Sequence, residues 1–384
     1  MSYKVKKMKK IDVVIAGYTC VDLIPDFKKT QSAVSLSSLL IPGKLIEIDG
    51  ISFVLGGAVP NTGLAMKKFN KNVFLNGLVG DDFIGKIAIE WLDKYDLSVG
   101  IRLTDQAGTA FSIVLAPPGI DRIFLESPGC NQLFDRSFIN FDAVAQSRIF
   151  HFGYPPLLKQ FYLNNGKQLA DLFSEVQKMG VVTSLDFSLP DPESESGRVD
   201  WQEILKNLMP YTDIFVPSIE EVLQIMHPGE YAGILASSIS TGKIDQMLIN
   251  IIRDIGRQLI DSGVKILLIK AGQWGAYLLT GDVSSINDKS GTDLDKGKWN
   301  NCELWCSAYK ADPLKIKNSS GAGDTSVAAF LSAILDDENP ESAVRYAALA
   351  GRNNLYCTNL YDDLSDWQEL TEEIKSEENE LLYF

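Results

Sequence analysis

Along the chain, short runs of apolar and β-branched residues alternate with longer stretches in which apolar positions recur every three or four residues. IDVVIAG (11–17), NVFLNGLVG (72–80), SRIFHFG (147–153), VVTSLDF (181–187), TDIFVP (212–217) and VKILLIKAG (264–272) read as buried strands. Between them TGLAMKKF (62–69), DFIGKIAIEWLDKY (82–95), QLADLFSEVQKMG (168–180), SIEEVLQIM (218–226) and IRDIGRQLIDSG (252–263) carry helical spacing. Apolar strands alternating with amphipathic helices predict an α/β fold, a mainly parallel central sheet with helices on both faces. In such sheets ligands bind beyond the carboxyl ends of the strands.

Two regions leave this rhythm. Residues 23–55 and 109–126 contain the short alternating runs KLIEIDGISFVL, TAFSIVLAP and DRIFLES, which predict a small second sheet of half-exposed antiparallel strands. Segments 228–243 and 281–300 are rich in Gly, Ser and Asp and read as polar insertions between elements. The acidic run 366–380 reads as a solvated helix, the core of a C-terminal extension over 359–384.

Composition narrows the function classes. At 384 residues, 45% hydrophobic and 22% charged, the chain has ordinary soluble composition and enough length for two domains or one enlarged α/β domain. No apolar run approaches the roughly 18–20 residues that cross a bilayer. The basic start MSYKVKKMKK precedes an apolar stretch that contains Asp12 and leads to Asp22, so it reads as a tail before a first strand, not a signal peptide. Five scattered cysteines and two histidines show no metal-ligand spacing, and Cys302 and Cys306 alternate like strand positions. Reduced structural thiols and a cytoplasmic protein are expected; His151 and His227 receive no role. A formal charge of −14 opposes nucleic acid and anionic membrane as partners, while a small anion needs only a local positive field.

Such a field is suggested by KIKNSSGAGDTSVAAFLSAIL (315–335), where a small-residue turn enters an apolar helix. Backbone N–H groups of Gly321, Ala322 and Gly323 can converge there without side-chain obstruction, and the helix start adds partial positive charge. Asp324 is the odd member, since a carboxylate repels phosphate. Two roles stand open: a helix N-cap, or a base facing a hydroxyl that attacks the phosphate.

The turn resembles the D-T-x-G-A-G-D signature of the ribokinase-like (PfkB) carbohydrate kinases. Other segments agree in order: GYTCVD (17–22), LGGAVPNTGLAMKKFN (55–70), NGLVGDDFIG (76–85), SPGCN (127–131), PSIEEVLQI (217–225) and KAGQWGAYL (270–278). The match covers roughly residues 11–358, taken as one kinase domain, and the two alternating regions then correspond to the family's lid over the sugar. The resemblance implies that Asp324 is the catalytic base and that Gly321, Ala322 and Gly323 form the anion hole. It assigns Asp22, Gly56, Gly57, Asn61 and Asn131 to the sugar. Ser218, Lys270, Gly272, Gly275 and Asn354 fall to the nucleotide. Glu221, with Asp186 as a weaker candidate, is assigned to Mg2+ through water. ATP and a monosaccharide are the implied substrates, and a homodimer through the lid is the implied assembly.

Three positions depart from the pattern. Asn318-Ser319 replaces D-T beside the monovalent-cation site of many relatives, which leaves potassium activation undecided. Ser218 replaces Asn, and Lys270 replaces Thr, where its ammonium either pairs with phosphate or simply ends a strand. Asn354 is equally compatible with helix packing. Arg102 and Arg122 lie near the lid, where a phosphorylated acceptor would need basic residues. The reading is an ATP-dependent sugar kinase. A nucleoside kinase on the same fold is the alternative, and a binding regulator without catalysis is the reading from another class. A dinucleotide-binding oxidoreductase would need G-x-G-x-x-G after the first strand, and GYTCVD lacks it.

Overall fold

The computed structural model describes residues 9–27, 40–117, 123–317, 319–377 and 379–384, and the side chains of 237 and 290 are not described. Asn318 and Arg122, and the parts of the lid regions at 28–39 and 118–122, therefore lie outside the described residues.

In chain order the strands are β1 (Ile11–Gly17), β2 (Cys20–Phe27), β3 (Ile48–Gly56), β4 (Val73–Gly80), β5 (Ile101–Thr104), β6 (Phe111–Leu115) and β7 (Ile123–Ser127). They continue with β8 (Ser147–Gly153), β9 (Val182–Leu185), β10 (Ile214–Phe215), β11 (Ile266–Lys270), β12 (Ala276–Thr280), β13 (Glu303–Cys306) and β14 (Leu381–Tyr383). Helices of eight residues or more are α1 (Ala58–Lys68), α2 (Phe83–Asp93), α3 (Lys159–Lys178), α4 (Trp201–Leu208) and α5 (Ile219–Met226). They are followed by α6 (Tyr231–Thr241), α7 (Gln246–Asp261), α8 (Ala322–Leu335), α9 (Pro340–Asn354) and α10 (Trp367–Ser376).

The large sheet runs β14-β13-β12-β11-β10-β9-β8-β1-β4-β5. From β11 to β5 every pairing is parallel, and β12, β13 and β14 add an antiparallel edge. Val13, Val14, Ile15 and Ala16 are all fully buried, because helices cover both faces of β1. One core lies against α1, α2, α8 and α9, the other against α3, α4, α5 and α7. The parallel strands thus end on one edge, where their connecting turns converge.

A separate four-stranded sheet, β3-β2-β6-β7, rises from that edge as the expected lid. It is not wholly antiparallel. β2 pairs with β3 and β6 with β7 antiparallel, but β2 and β6 run parallel, with Val21 opposite Phe111. Arg102, expected near the lid, lies on β5 of the large sheet, its guanidinium 5.9 Å from the Phe138 ring centre.

Three stretches read as polar hold more structure than their composition suggests. Within 228–243, α6 buries Leu235 and Ser238. Within 281–300, two short helices (Ser284–Ser290 and Lys296–Trp299) bury Val283, Ile286, Leu294 and Trp299, apolar residues too sparse to show a period. In the acidic run, α10 buries Leu370 and stacks Trp367 on Tyr346 at 4.4 Å, and the chain then adds β14 to the sheet edge beside β13. No helix among the described residues is long and apolar enough to cross a membrane.

Candidate active site

The site forms where α8 begins. Gly321 caps the helix with φ 75°, a left-handed conformation that glycine adopts without steric cost. A Cβ there would lie 3.4 Å from the Asn61 amide, so the turn also sits close against α1. Asn354, at the end of α9, braces the turn with both ends of its carboxamide. Its Nδ2 donates to the Ser320 carbonyl at 2.8 Å, and its Oδ1 accepts from the Thr325 hydroxyl at 2.8 Å. The structure therefore brings Asn354 to the glycine turn. Gly321, Ala322 and Gly323 are half-buried, and the first-turn amides lack intrahelical acceptors.

Asp324 follows in the first turn of α8 and is only 2% exposed. Its Oδ2 accepts from Asn61 Nδ2 at 3.0 Å, and its Oδ1 from the Tyr154 hydroxyl at 2.8 Å. Burial pushes its pKa up to about 6, with the Asp186 charge adding to the rise, while the two donors and Lys270 work against it. The N-cap position belongs to Gly321 and no side chain caps the helix, so the N-cap reading of this carboxylate has no support in the geometry.

Next to the turn lies a charged group of different construction. Lys270, ending β11, donates to Asp186 Oδ1 at 2.6 Å, and a Cβ on Gly323 would lie 3.8 Å from its Nζ. Burial opposes its charge, but Asp186, Glu221 and Asp324 outweigh that and hold its pKa above the usual value. Asp186 is fully buried; burial raises its pKa despite Lys270, and its Oδ2 has no partner. Ser218 pairs alongside Lys270 across the β10–β11 edge and caps α5, accepting from the Glu221 amide at 3.2 Å. Glu221 returns the bond by accepting from the Ser218 amide at 2.7 Å, a capping box. Burial lifts the Glu221 pKa to about 7, against the pull of Lys270. Gly272 and Gly275 form the turn between β11 and β12.

The sugar candidates gather at the root of the lid. Asp22 on β2 is 9% exposed and lies against Gly56, where a Cβ would stand 2.9 Å from all three carboxyl-group atoms. Gly57 caps α1, which carries Asn61 in its first turn. Asn131, in a short turn at 129–132, is fully buried; its Nδ2 donates to the Thr19 carbonyl at 2.9 Å, and its Oδ1 has no partner. A cavity of about 310 Å3 opens here, with Asp22, Asn61, Ser320 and Asn354 among its polar lining residues and Phe53, Trp91, Tyr95 and Leu360 among its apolar ones. That is the small end of the roughly 300–1,000 Å3 typical of ligand pockets.

Tyr154 was not legible as a site residue. It follows β8 directly, at the ligand edge of the sheet, a position that the end of SRIFHFG marks only in general and not for this residue. His151, three residues earlier on β8, is buried, hydrogen-bonded to Ser184 at 2.9 Å, and held neutral by burial, which lowers its pKa to about 3. Among the described residues no group of three or more His, Cys, Asp or Glu could hold a metal by itself.

The chain is similar to known proteins over nearly its whole length. The model of the "pfkB family carbohydrate kinase" matches residues 10–367. A probable fructokinase-2 of Arabidopsis thaliana is 24% identical over 324 residues, covering 83% of this chain and 81% of its own. Among solved structures, an Arabidopsis thaliana ribokinase complexed with ribose and ATP superposes with a TM-score of 0.67 at 18% identity, covering 95% of this chain and 99% of that one. A fructokinase with bound ATP from Xylella fastidiosa gives a TM-score of 0.66 at 17% identity, covering 95% and 98%.

Proposed function

The chain belongs to the pfkB family of carbohydrate kinases and is a phosphotransferase with an alcohol acceptor, and we propose that it transfers the γ-phosphoryl group of ATP to a hydroxyl of a ribose- or fructose-type monosaccharide. The observation that carries this reading is Asp324. It is a buried carboxylate with its pKa near 6, set in the first turn of a helix and bonded to Asn61, which lines a ligand-sized cavity. A pKa close to the working pH suits a general base.

In this reading Asp22 and Asn61, with the backbone of Gly56 and Gly57, orient the sugar, and Asp324 accepts the proton of the attacking hydroxyl. The amides of Gly321, Ala322 and Gly323 hold the transferring oxygens, where the helix start opposes their charge. Lys270 adds a positive charge beside Gly323, and the turn at Gly272 and Gly275 borders the nucleotide. The unpartnered Oδ2 of Asp186 and the Glu221 carboxylate fit Mg2+ held mainly by phosphates and water. When bound, Mg2+ would neutralise charge on the phosphates. The lid would exclude water, which otherwise competes for the phosphoryl group.

The aromatic residues of the cavity lining, Phe53, Trp91 and Tyr95, favour a second reading, a nucleoside acceptor whose base lies among such rings. Incubating the protein with magnesium-ATP and separate ketoses, aldoses, nucleosides and sugar phosphates, with ADP release followed, discriminates them. Turnover with ribose or fructose supports the first reading, turnover confined to nucleosides the second. Ligand binding without any acceptor-dependent turnover would overturn both in favour of a regulator.

A further inference from the structure

Asp324 has two oxygens, and the structure treats them differently. Oδ2 accepts from Asn61, which lines the cavity, whereas Oδ1 accepts from the Tyr154 hydroxyl, which the cavity does not reach. Tyr154 is held in an unusual way. Its backbone is left-handed, φ 63° and ψ 48°, a conformation rare for a bulky residue and disfavoured before a proline such as Pro155. The surroundings enforce it: the Tyr154 amide donates to the Asp186 carbonyl at 3.4 Å, its carbonyl accepts from the Leu157 amide at 3.0 Å, and Pro155 and Pro156 are buried. The ring lies 6.5 Å from that of Tyr18, whose own hydroxyl donates to Glu126 on lid strand β7 at 2.6 Å. An uncommon backbone conformation thus aims one hydroxyl at one carboxylate oxygen, the kind of local strain that clusters at functional sites.

We propose that Tyr154 is a positioning residue for the base, holding Oδ1 of Asp324 throughout the reaction so that Oδ2 faces the acceptor. This rests on the reading of Asp324 as base. The incoming hydroxyl replaces Asn61 at Oδ2, and Asn61 turns to the acceptor. The acceptor O–H bond breaks and its proton goes to Oδ2. The acceptor oxygen bonds to the γ-phosphorus as the bond from phosphorus to the ADP oxygen breaks. Oδ1 becomes the carbonyl oxygen of the acid and still accepts from Tyr154, so no second proton moves. Burial and the nearby Asp324, Asp186 and Glu221 charges keep the Tyr154 hydroxyl protonated, so it stays a donor.

The test does not need a known acceptor. Carboxyl 13C shifts of Asp324 are titrated in the full chain, wild type against Tyr154→Phe. Asp186 and Lys270 face Asp324 in both proteins, with Glu221 beyond them, so the comparison isolates the hydroxyl. Losing a donor to the charged form should move the Asp324 midpoint to higher pH by roughly half a pH unit or more. At neutral pH the thermal midpoint should fall by only a few °C, the loss that such a shift carries. Tyr154→Asn, which tolerates the left-handed backbone but cannot reach Oδ1, should give the same titration. With D-fructose, D-ribose or adenosine as the probe acceptor, kcat should fall about tenfold to a hundredfold while both KM values hold. An unmoved Asp324 midpoint overturns the proposal, as does a raised acceptor KM at constant kcat, which would place Tyr154 on the acceptor. Full turnover by Asp324→Asn would instead remove the base reading itself.

Discussion

Two halves of one site hold their carboxylates by opposite means. Around Asp324 the hydrogen-bond partners are neutral, an amide and a phenol, whereas Asp186 is paired with the ammonium of Lys270, whose charge also acts on Glu221 and Asp324. Neutral donors leave a buried acid with a pKa near 6, free to exchange a proton. A buried countercharge offsets only part of the cost of burial, since Asp186 and Glu221 also have raised pKa values, and it makes them depend on that partner for stability. The difference separates proton transfer from charge neutralisation, although both ends touch the same helix start.

The largest break in this contrast is Asp324→Asn. It should lower kcat by about 10²–10⁴-fold, with ATP binding by calorimetry unchanged. It should not weaken the fold. Asp324 has a folded pKa of about 6, above its unfolded value, so its stabilising contribution is present at low pH and lost as pH rises through 6. Asn therefore raises the unfolding midpoint in urea at pH 8. Retained turnover would move the base elsewhere.

Lys270→Met should behave the other way. With the ammonium gone, Asp186 and Glu221 are buried without a countercharge, a loss of about 3–5 kcal/mol in urea unfolding. The loss should shrink on acidification, as both acids have raised pKa values and take up protons. A fold unaffected at pH 8 would show that the two halves are built alike after all.

The pH profile sharpens the comparison without mutation. The proposed role needs Asp324 ionised, so kcat should hold at alkaline pH and fall through pH 6, reaching about a tenth at pH 5. A limb near 7 would report Glu221 instead. The smallest effect is expected from Gly321→Ala, which forces a left-handed alanine at φ 75° and should cost roughly 1–2 kcal/mol. Its consequence for kcat should exceed that for stability, because the proposed mechanism has the turn, not the helix behind it, meet the phosphate.

Much of this was readable beforehand. β1 and β8 match their expected limits residue for residue, since strands buried on both faces leave unbroken apolar runs. The GAGD turn was readable because small residues beside an acid are an unusual local choice. Helix α6 and the two short helices after β12 were hidden, as their few buried residues lie among serines and glycines. Tyr154 and the bracing role of Asn354 were hidden for another reason. Each acts through a partner roughly 30 to 170 positions away in the chain, and pairing at that range leaves no local pattern.

The Asn354 brace carries a consequence for how the nucleotide is received. With Ser320 and Thr325 tied to one carboxamide, the glycine turn is already shaped before any phosphate arrives. The ordering entropy of the cradle is thus spent during folding, not at the moment of binding. Under the proposed function, nucleotide affinity is then set by what the lid and side chains must still arrange, while the backbone assigned to the phosphoryl group waits in its final form.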